Sequence, residues 1–270
     1  FEQMLTNVMF ALAQSKEASS ENICFFDEEV HKKKEFENFI ESNMQQALDS
    51  QCFEMVLQPK IDLQTNSVIA AEALVRWRLE DGTYLPPSSF VDIFEKNLFC
   101  SKLDFYMLKK AIQQIRKWID MGMNPVNISV NQSKIVFYHE NYISELKSLL
   151  EEYNVLGSYI TLEVLESTVI EDIDMFNSIL TEVKKLGFSV SLDDFGSGYS
   201  SLNVLSKLQI DELKIDRIFL HTKSEVDNQR TKWILESIID IAKKSQILVV
   251  VEGVESKQDD LFIKNLGADV

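Results

Sequence analysis

Ser189-Val190-Ser191-Leu192-Asp193-Asp194 is the stretch on which the fold is read. A short, mostly apolar run ends on two adjacent carboxylates, and an amphipathic helical pattern over 175–186 precedes it. A helix that leads into a short buried strand is the repeating unit of α/β folds. The same unit recurs on both sides. Strand-like runs lie at 53–57, 68–75, 126–130, 159–164, 212–215 and 247–251. Helical patterns lie between them at 104–119, 141–153, 231–244 and 257–266. Several runs are apolar throughout, as expected of parallel strands covered on both faces. With an eighth strand beginning at Ala268, the count predicts a (β/α)8 barrel. A doubly wound open sheet is the alternative, but no Gly-rich dinucleotide or phosphate loop supports it.

The carboxylates fall in a pattern. Glu72 lies in one run, Glu163 near the end of another, Asp193 and Asp194 at the end of a third, and Glu252 just after a fourth. Asn127 and Lys214 lie within strands as well. Polar side chains in apolar strands are costly to bury without partners. In a barrel, the C-terminal strand ends converge on one mouth, where active sites form. Carboxylates crowded there repel one another unless a cation intervenes. A donor set of oxygens only suits Mg²⁺ or Mn²⁺ rather than Zn²⁺. The adjacent pair Asp193-Asp194 suits two ions, one carboxylate bridging them and the other bound to the second, in the arrangement used for in-line phosphoryl displacement.

Composition sets outer bounds. The 270 residues are 45% hydrophobic and 26% charged, with a net charge of −16. That balance excludes long nucleic acids and anionic membranes as partners. The three cysteines, Cys24, Cys52 and Cys100, form no CxxC pair, as expected of a reducing cytoplasm. No apolar run reaches the roughly 20 residues that span a bilayer. His31, His139 and His221 stand outside any motif, which argues against His-based metal or nucleophilic hydrolysis. Asp211, Asp240 and the pair Asp259-Asp260 are expected to be solvated.

The first fifty residues read differently. A helix with Leu5, Val8, Met9 and Leu12 on one stripe is followed by a strand-like run at 22–26, then a helix capped by Asp27 that runs to about Leu48.

At its polar positions the chain resembles the EAL domain family of cyclic di-GMP phosphodiesterases. The motifs are Gln58-Pro59, Glu72-Ala73-Leu74-Val75-Arg76-Trp77, Asn127-Ile128-Ser129, Leu162-Glu163-Val164-Leu165-Glu166-Ser167, the loop from Asp193-Asp194-Phe195-Gly196 to Leu202, Leu213-Lys214-Ile215-Asp216 and Glu252-Gly253-Val254-Glu255. The resemblance implies a modified barrel with an antiparallel first strand, preceded by a helical linker segment. It implies two divalent cations, Mg²⁺ or Mn²⁺, with Ca²⁺ inhibitory. Glu72, Asn127, Glu163 and Asp193 would hold one, and Asp193, Asp194 and Glu252 the other. Lys214 and Glu252 would be catalytic, with Glu252 the general base. Gln58, Leu74 and Arg76 would contact the nucleotide. Asp216 would orient Lys214, and Glu166 would anchor the 193–202 loop, through which a homodimer would form. The activity implied is hydrolysis of cyclic di-GMP to linear pGpG, with a catalytically silent cyclic di-GMP receptor as the alternative.

Residues 1–30 resemble the tail of a GGDEF domain, 31–50 a linker helix, and 51–270 the EAL barrel, its C-terminal strand truncated at Val270. A longer cytoplasmic chain with an upstream GGDEF or sensor domain is expected, with any membrane anchor further upstream. Two departures stand out. Leu165 replaces a usual Thr, and Asn97 occupies a turn position that is commonly Gly.

Overall fold

The structure is a computed structural model that describes residues 8, 9, 12, 26–169, 173–196, 202–220 and 225–270. The N-terminal helix and the 22–26 run therefore lie largely outside the described residues. The chain divides into two compact units, Phe1–Phe53 with Trp77–Asn97, and Glu54–Arg76 with Leu98–Val270.

In the smaller unit, helix α1 spans Glu28–Asp49. It starts where expected, because the Asp27 side chain accepts hydrogen bonds from the backbone N–H groups of Glu29 and Val30 and satisfies donors that the helix itself cannot. Phe53, Trp77, Phe90 and Phe94 form a buried aromatic cluster, with neighbouring ring centroids 5.0–6.1 Å apart. Each ring buried this way contributes about 1.5–3 kcal/mol. A short strand at Tyr84–Leu85, missed in the sequence, pairs antiparallel with Trp77 and Arg78. At two residues it is too short to show alternation.

The strands are β1 (Phe53–Ile61), β2 (Val68–Arg78), β3 (Tyr84–Leu85), β4 (Asn127–Gln132), β5 (Ile160–Leu165), β6 (Ser189–Phe195), β7 (Glu212–Ile215) and β8 (Leu248–Val251). Their order in the sheet is β1-β2-β4-β5-β6-β7-β8, with β3 on β2. From β2 through β8 the pairings along this path are parallel. The first strand runs the other way. Asp62 N–H donates to the Ser67 carbonyl and Arg78 N–H to the Cys52 carbonyl, the bonding of a chain doubled back on itself. This is the modified barrel sheet expected from the sequence. In the larger unit, helices follow the strands, among them Cys100–Asp120, Tyr142–Tyr153, Ile173–Lys185, Glu225–Lys244 and Lys257–Leu266.

The C-terminal residues lie where an eighth barrel strand belongs. Asp269 N–H donates to the Val249 carbonyl and Val251 N–H to the Val270 carbonyl, while Leu63 N–H, beside the β1–β2 turn, donates to the Asp269 carbonyl. Ala268 thus opens a segment bonded to β8 on one side and to the β1–β2 turn on the other.

Two expectations change. Asn97 has φ −103°, and the left-handed conformation falls one residue later, on Leu98 at φ 64°. Asp211 is not merely solvated. Its carboxylate accepts from Lys184 Nζ at 2.8 Å and from Val190 N–H at 2.9 Å, pinning the start of β6.

Candidate active site

Side chains two apart on a strand face the same way, and that rule stacks the polar interior of the larger unit in layers. Asn131, Asp193 and Lys214 form the upper layer, each two residues beyond Ser129, Ser191 and Glu212 in the layer below, and Glu163, in register with Ser191, bonds to lysines at both levels. Lys214 Nζ is the hub of the upper layer. It donates to Glu72 Oε2 at 3.0 Å, Glu163 Oε2 at 2.9 Å and Asp193 Oδ2 at 2.9 Å, and it pairs with Glu252 Oε1 at 2.8 Å. Only 2% of Lys214 is exposed. Burial alone would lower its pKa, but the surrounding carboxylates, Glu163 and Asp193 foremost, raise it well above the ordinary value.

Consecutive strand residues normally face opposite sides, so a backbone device is needed to bring Asp193 and Asp194 to one mouth. The β6–β7 register shifts between Leu192 and Phe195, and Asp194 takes the left-handed conformation at φ 57°, a bulge that re-aims a side chain. Asp194 N–H donates to Asp193 Oδ1 at 2.8 Å. Asp193, Asp194 and Glu252 then place carboxylate oxygens within 4.8 Å of one another. Burial pushes the Asp193 carboxyl up to about 7, with Glu163 and Glu252 adding to the rise and Lys214 opposing it. Burial also raises Asp194, helped by Glu252 and Asp216, and it raises Glu72, helped by Glu163. Glu163 goes the opposite way. Burial would raise it, but Lys214 and Lys60 together bring it below the ordinary carboxylate value.

Lys60 and Glu212 were not anticipated as part of the site. Lys60 Nζ donates to Ser129 Oγ at 2.8 Å, Glu163 Oε1 at 2.9 Å and Glu212 Oε1 at 2.7 Å. Both could have been found from strand alternation, since Lys60 shares a face of β1 with Gln58, and Glu212 shares a face of β7 with Lys214.

Asn127 is not brought to the mouth. Its Oδ1 accepts from Thr161 Oγ1 at 2.9 Å and its Nδ2 donates to the Ser158 carbonyl at 3.1 Å. It stands four residues before Asn131 on β4, about 13 Å nearer the strand's N-terminal end at about 3.3 Å per residue. The residue at the mouth is Asn131, which pairs in register with Glu163 and donates to Glu72 Oε1 at 3.1 Å. The sequence holds two Asn-X-Ser elements, 127–129 and 131–133, and the second is the one at the carboxylates.

The remaining expected residues divide. Gln58 and Leu74 line a cavity of about 780 Å³ above the carboxylates, which also takes in Asp216, Arg217 and Val254. Such a volume suits a small-molecule ligand. Arg76 instead donates to the Val75 carbonyl at 2.8 Å. Asp216 accepts from Ile218 N–H at 2.7 Å and so caps a short turn, while Lys214 is engaged by the four carboxylates. Glu166 is buried, and its Oε2 accepts from Gly196 N–H at 3.4 Å, which ties it to the start of the 193–202 loop. Residues 197–201 of that loop lie outside the described residues. Gly253 (φ 72°) follows Glu252, and a Cβ there would run into Arg217 Cβ, so the turn that presents Glu252 requires glycine.

The inner groups carry an unbalanced charge. Glu72, Glu163, Asp193, Asp194, Glu212 and Glu252 set six formal negative charges against the two positive charges of Lys60 and Lys214, an excess of four. Oxygen-only donors with that excess fit divalent cations such as Mg²⁺ or Mn²⁺.

This fold and this carboxylate mouth define an α/β-barrel domain with a cavity of small-molecule size at its acidic strand ends. The EAL domain family matches residues 41–270, and the chain belongs to that family. Among curated proteins, it is 33% identical over 263 residues to the cyclic di-GMP phosphodiesterase NbdA of Pseudomonas aeruginosa, covering 97% of this chain and 33% of that protein. It is 30% identical over 258 residues to the cyclic di-GMP phosphodiesterase PdeR of Escherichia coli, covering 95% of this chain and 38% of that protein. The chain thus spans about a third of the length of these relatives. Among solved structures, it is similar to the PaMucR phosphodiesterase in complex with c-di-GMP, with TM-score 0.78 and 31% identity, covering 86% of this chain and 93% of that one.

Proposed function

We propose that the mouth is the active site of a metal-dependent phosphodiesterase that opens cyclic di-GMP to linear pGpG. The observation that carries this reading is the excess of four negative charges on oxygen donors at the strand ends, which two divalent cations would neutralise. The names of the relatives point to the same substrate.

In this reading Asp193, Asp194 and Glu252 hold one cation. Glu72, Asn131, Glu163 and Asp193 hold the other, with Asn131 in the place first assigned to Asn127. Bound Mg²⁺ or Mn²⁺ supplies the charge that polarises the phosphoryl group and acidifies the attacking water. Lys214, whose ammonium stands among Glu72, Glu163, Asp193 and Glu252, would direct its charge at the attacking oxygen or the developing phosphoryl charge. Glu252, more open to solvent than Glu163, takes the water's proton as general base. Gln58 and Leu74 contact the nucleotide along the cavity wall, and Arg76 joins them by leaving the Val75 carbonyl. The bond from phosphorus to one 3′ oxygen breaks as the water oxygen bonds to phosphorus, the leaving 3′ oxygen takes up a proton from solvent to become a hydroxyl, and the other phosphodiester stays intact. Ca²⁺ occupies the site without supporting the chemistry.

Purified protein incubated with cyclic di-GMP and Mg²⁺ or Mn²⁺ should yield pGpG. Absence of product with either ion refutes the enzyme reading. Binding without turnover, measured by calorimetry, supports a silent receptor, the alternative that Leu165 favours because it sits in register with Asp193 and carries no hydroxyl.

The proposal extends to the rest of the protein. Residues 1–30 are read as the tail of an upstream GGDEF domain, joined by a 31–50 linker to the 51–270 barrel in a cytoplasmic signalling chain. No helix among the described residues is long and apolar enough to cross a membrane. Two copies pair through the 193–202 loop region, which light scattering of wild type and a loop variant would test.

A further inference from the structure

Glu163 is held by two lysines at once. Its Oε2 faces the mouth and accepts from Lys214, while its Oε1 turns down into the barrel and accepts from Lys60 at 2.9 Å. Lys60 is 7% exposed and Glu163 1%. The three N–H groups of Lys60 have three acceptors, Ser129 Oγ, Glu163 Oε1 and Glu212 Oε1. These groups come from β1, β4, β5 and β7, and the ammonium is fully satisfied.

A buried lysine is a poor choice for a brace alone. Desolvating an ion pair offsets most of its attraction, and apolar residues of similar volume would hold the strands as well or better. What an apolar pair does not supply is a donor that captures one particular oxygen of Glu163. Carboxylate denticity matters to cation choice. Ca²⁺ takes six to eight oxygens and accepts bidentate carboxylates, whereas Mg²⁺ demands near-octahedral coordination. A carboxylate with one oxygen tied from below offers a single oxygen above.

We propose that Lys60 is a positioning residue that sets metal selectivity: by holding Glu163 Oε1, it confines Glu163 to one ligand oxygen and biases the mouth toward Mg²⁺ and Mn²⁺ over Ca²⁺. Glu212 holds Lys60 in place and balances its charge. This inference rests on the metal reading of the mouth.

Calorimetric titration of the chelator-stripped full chain with Mn²⁺ and Ca²⁺ separately, without substrate, tests it. In Lys60→Met/Glu212→Gln, which removes one charge of each sign, the ratio of Ca²⁺ to Mn²⁺ affinity should rise about tenfold, the scale typical of residues behind a ligand. If circular dichroism shows that variant unfolded, Lys60→Leu, which keeps an apolar side chain and has no donor for Glu163, carries the same expectation. An unchanged ratio, even with both affinities reduced, reduces Lys60 to a brace and overturns the inference alone. Wild-type titrations that Asp193→Asn/Asp194→Asn leaves unaltered overturn the metal reading and the inference together.

Discussion

Lys214→Met would remove the ammonium that holds Glu72, Glu163, Asp193 and Glu252. The methionine keeps much of the volume, so the change is chiefly electrostatic. Lys214 is 2% exposed, so the loss is not discounted for solvent screening as a surface pair would be. Stripping one partner from a buried ion pair costs about 3–5 kcal/mol. At about 2–4 °C per kcal/mol for a chain of this size, the melting temperature of the metal-free protein should fall by about 6–20 °C. The pH should lie well above the Asp193 value of about 7, because losing Lys214, which lowers that carboxyl, lets it rise further and protonation would relieve the repulsion. Divalent cations should then rescue the variant. A ligand at 100 times its Kd stabilises by about 2.7 kcal/mol, and the shift should be larger in Lys214→Met, where the cation no longer competes with the ammonium. Differential scanning fluorimetry with a chelator and with Mn²⁺ reads both effects. A variant melting within about 2 °C of wild type in chelator, well under the range expected, would refute the reasoning. So would equal metal-induced shifts in the two proteins.

Other outcomes follow from the same geometry. The folded Asp193 carboxyl titrates near 7 against 3.8 for an unperturbed group. Its raised pKa means that the folded state binds more protons in this window, so the metal-free protein should lose stability as pH rises from about 4 to about 7. Added Mn²⁺ should reverse that trend, with a proton released on binding that calorimetry in buffers of different ionisation heat detects. Asn131→Ala should weaken Mn²⁺ binding and turnover by about tenfold or more. Asn127→Ala should cost about 1 kcal/mol of stability through its lost hydrogen bonds and leave turnover unchanged, and the reverse pattern would restore the first assignment. Glu166→Ala should lower turnover more than it lowers the melting temperature, since it loosens the Gly196 end of the loop. Turnover equal to wild type would remove the anchoring role.

The barrel was legible because each strand–helix unit carries its own signature. Apolar runs such as 247–251 and amphipathic helices such as 257–266 need no distant partner to be recognised. Register was harder. A strand drawn as 126–130 makes Asn127 its polar residue, whereas β4 runs from Asn127 to Gln132 and carries Asn131 to the mouth. The eighth-strand segment was found at Ala268, but the sequence carries no sign of its bonds to Leu63 and Val249. Lys60 was passed over because the first strand was drawn as 53–57, whereas β1 runs on to Ile61 and takes Lys60 with it. Its burial depends on Glu212 and Glu163, which lie more than a hundred residues away in sequence. The turn at Asp193-Asp194 was legible as a site, yet the bulge and the left-handed Asp194 that aim both carboxylates one way are properties of the β6–β7 register.

Crystals grown with Mn²⁺ and examined by anomalous diffraction at the manganese edge give the most direct measurement of the mouth. Two anomalous peaks are expected, one among Asp193, Asp194 and Glu252 and one among Glu72, Asn131, Glu163 and Asp193, with Lys214 moved off the carboxylates it now holds. A mouth with no anomalous peak and Lys214 still bonded to all four carboxylates would contradict the metal-dependent site.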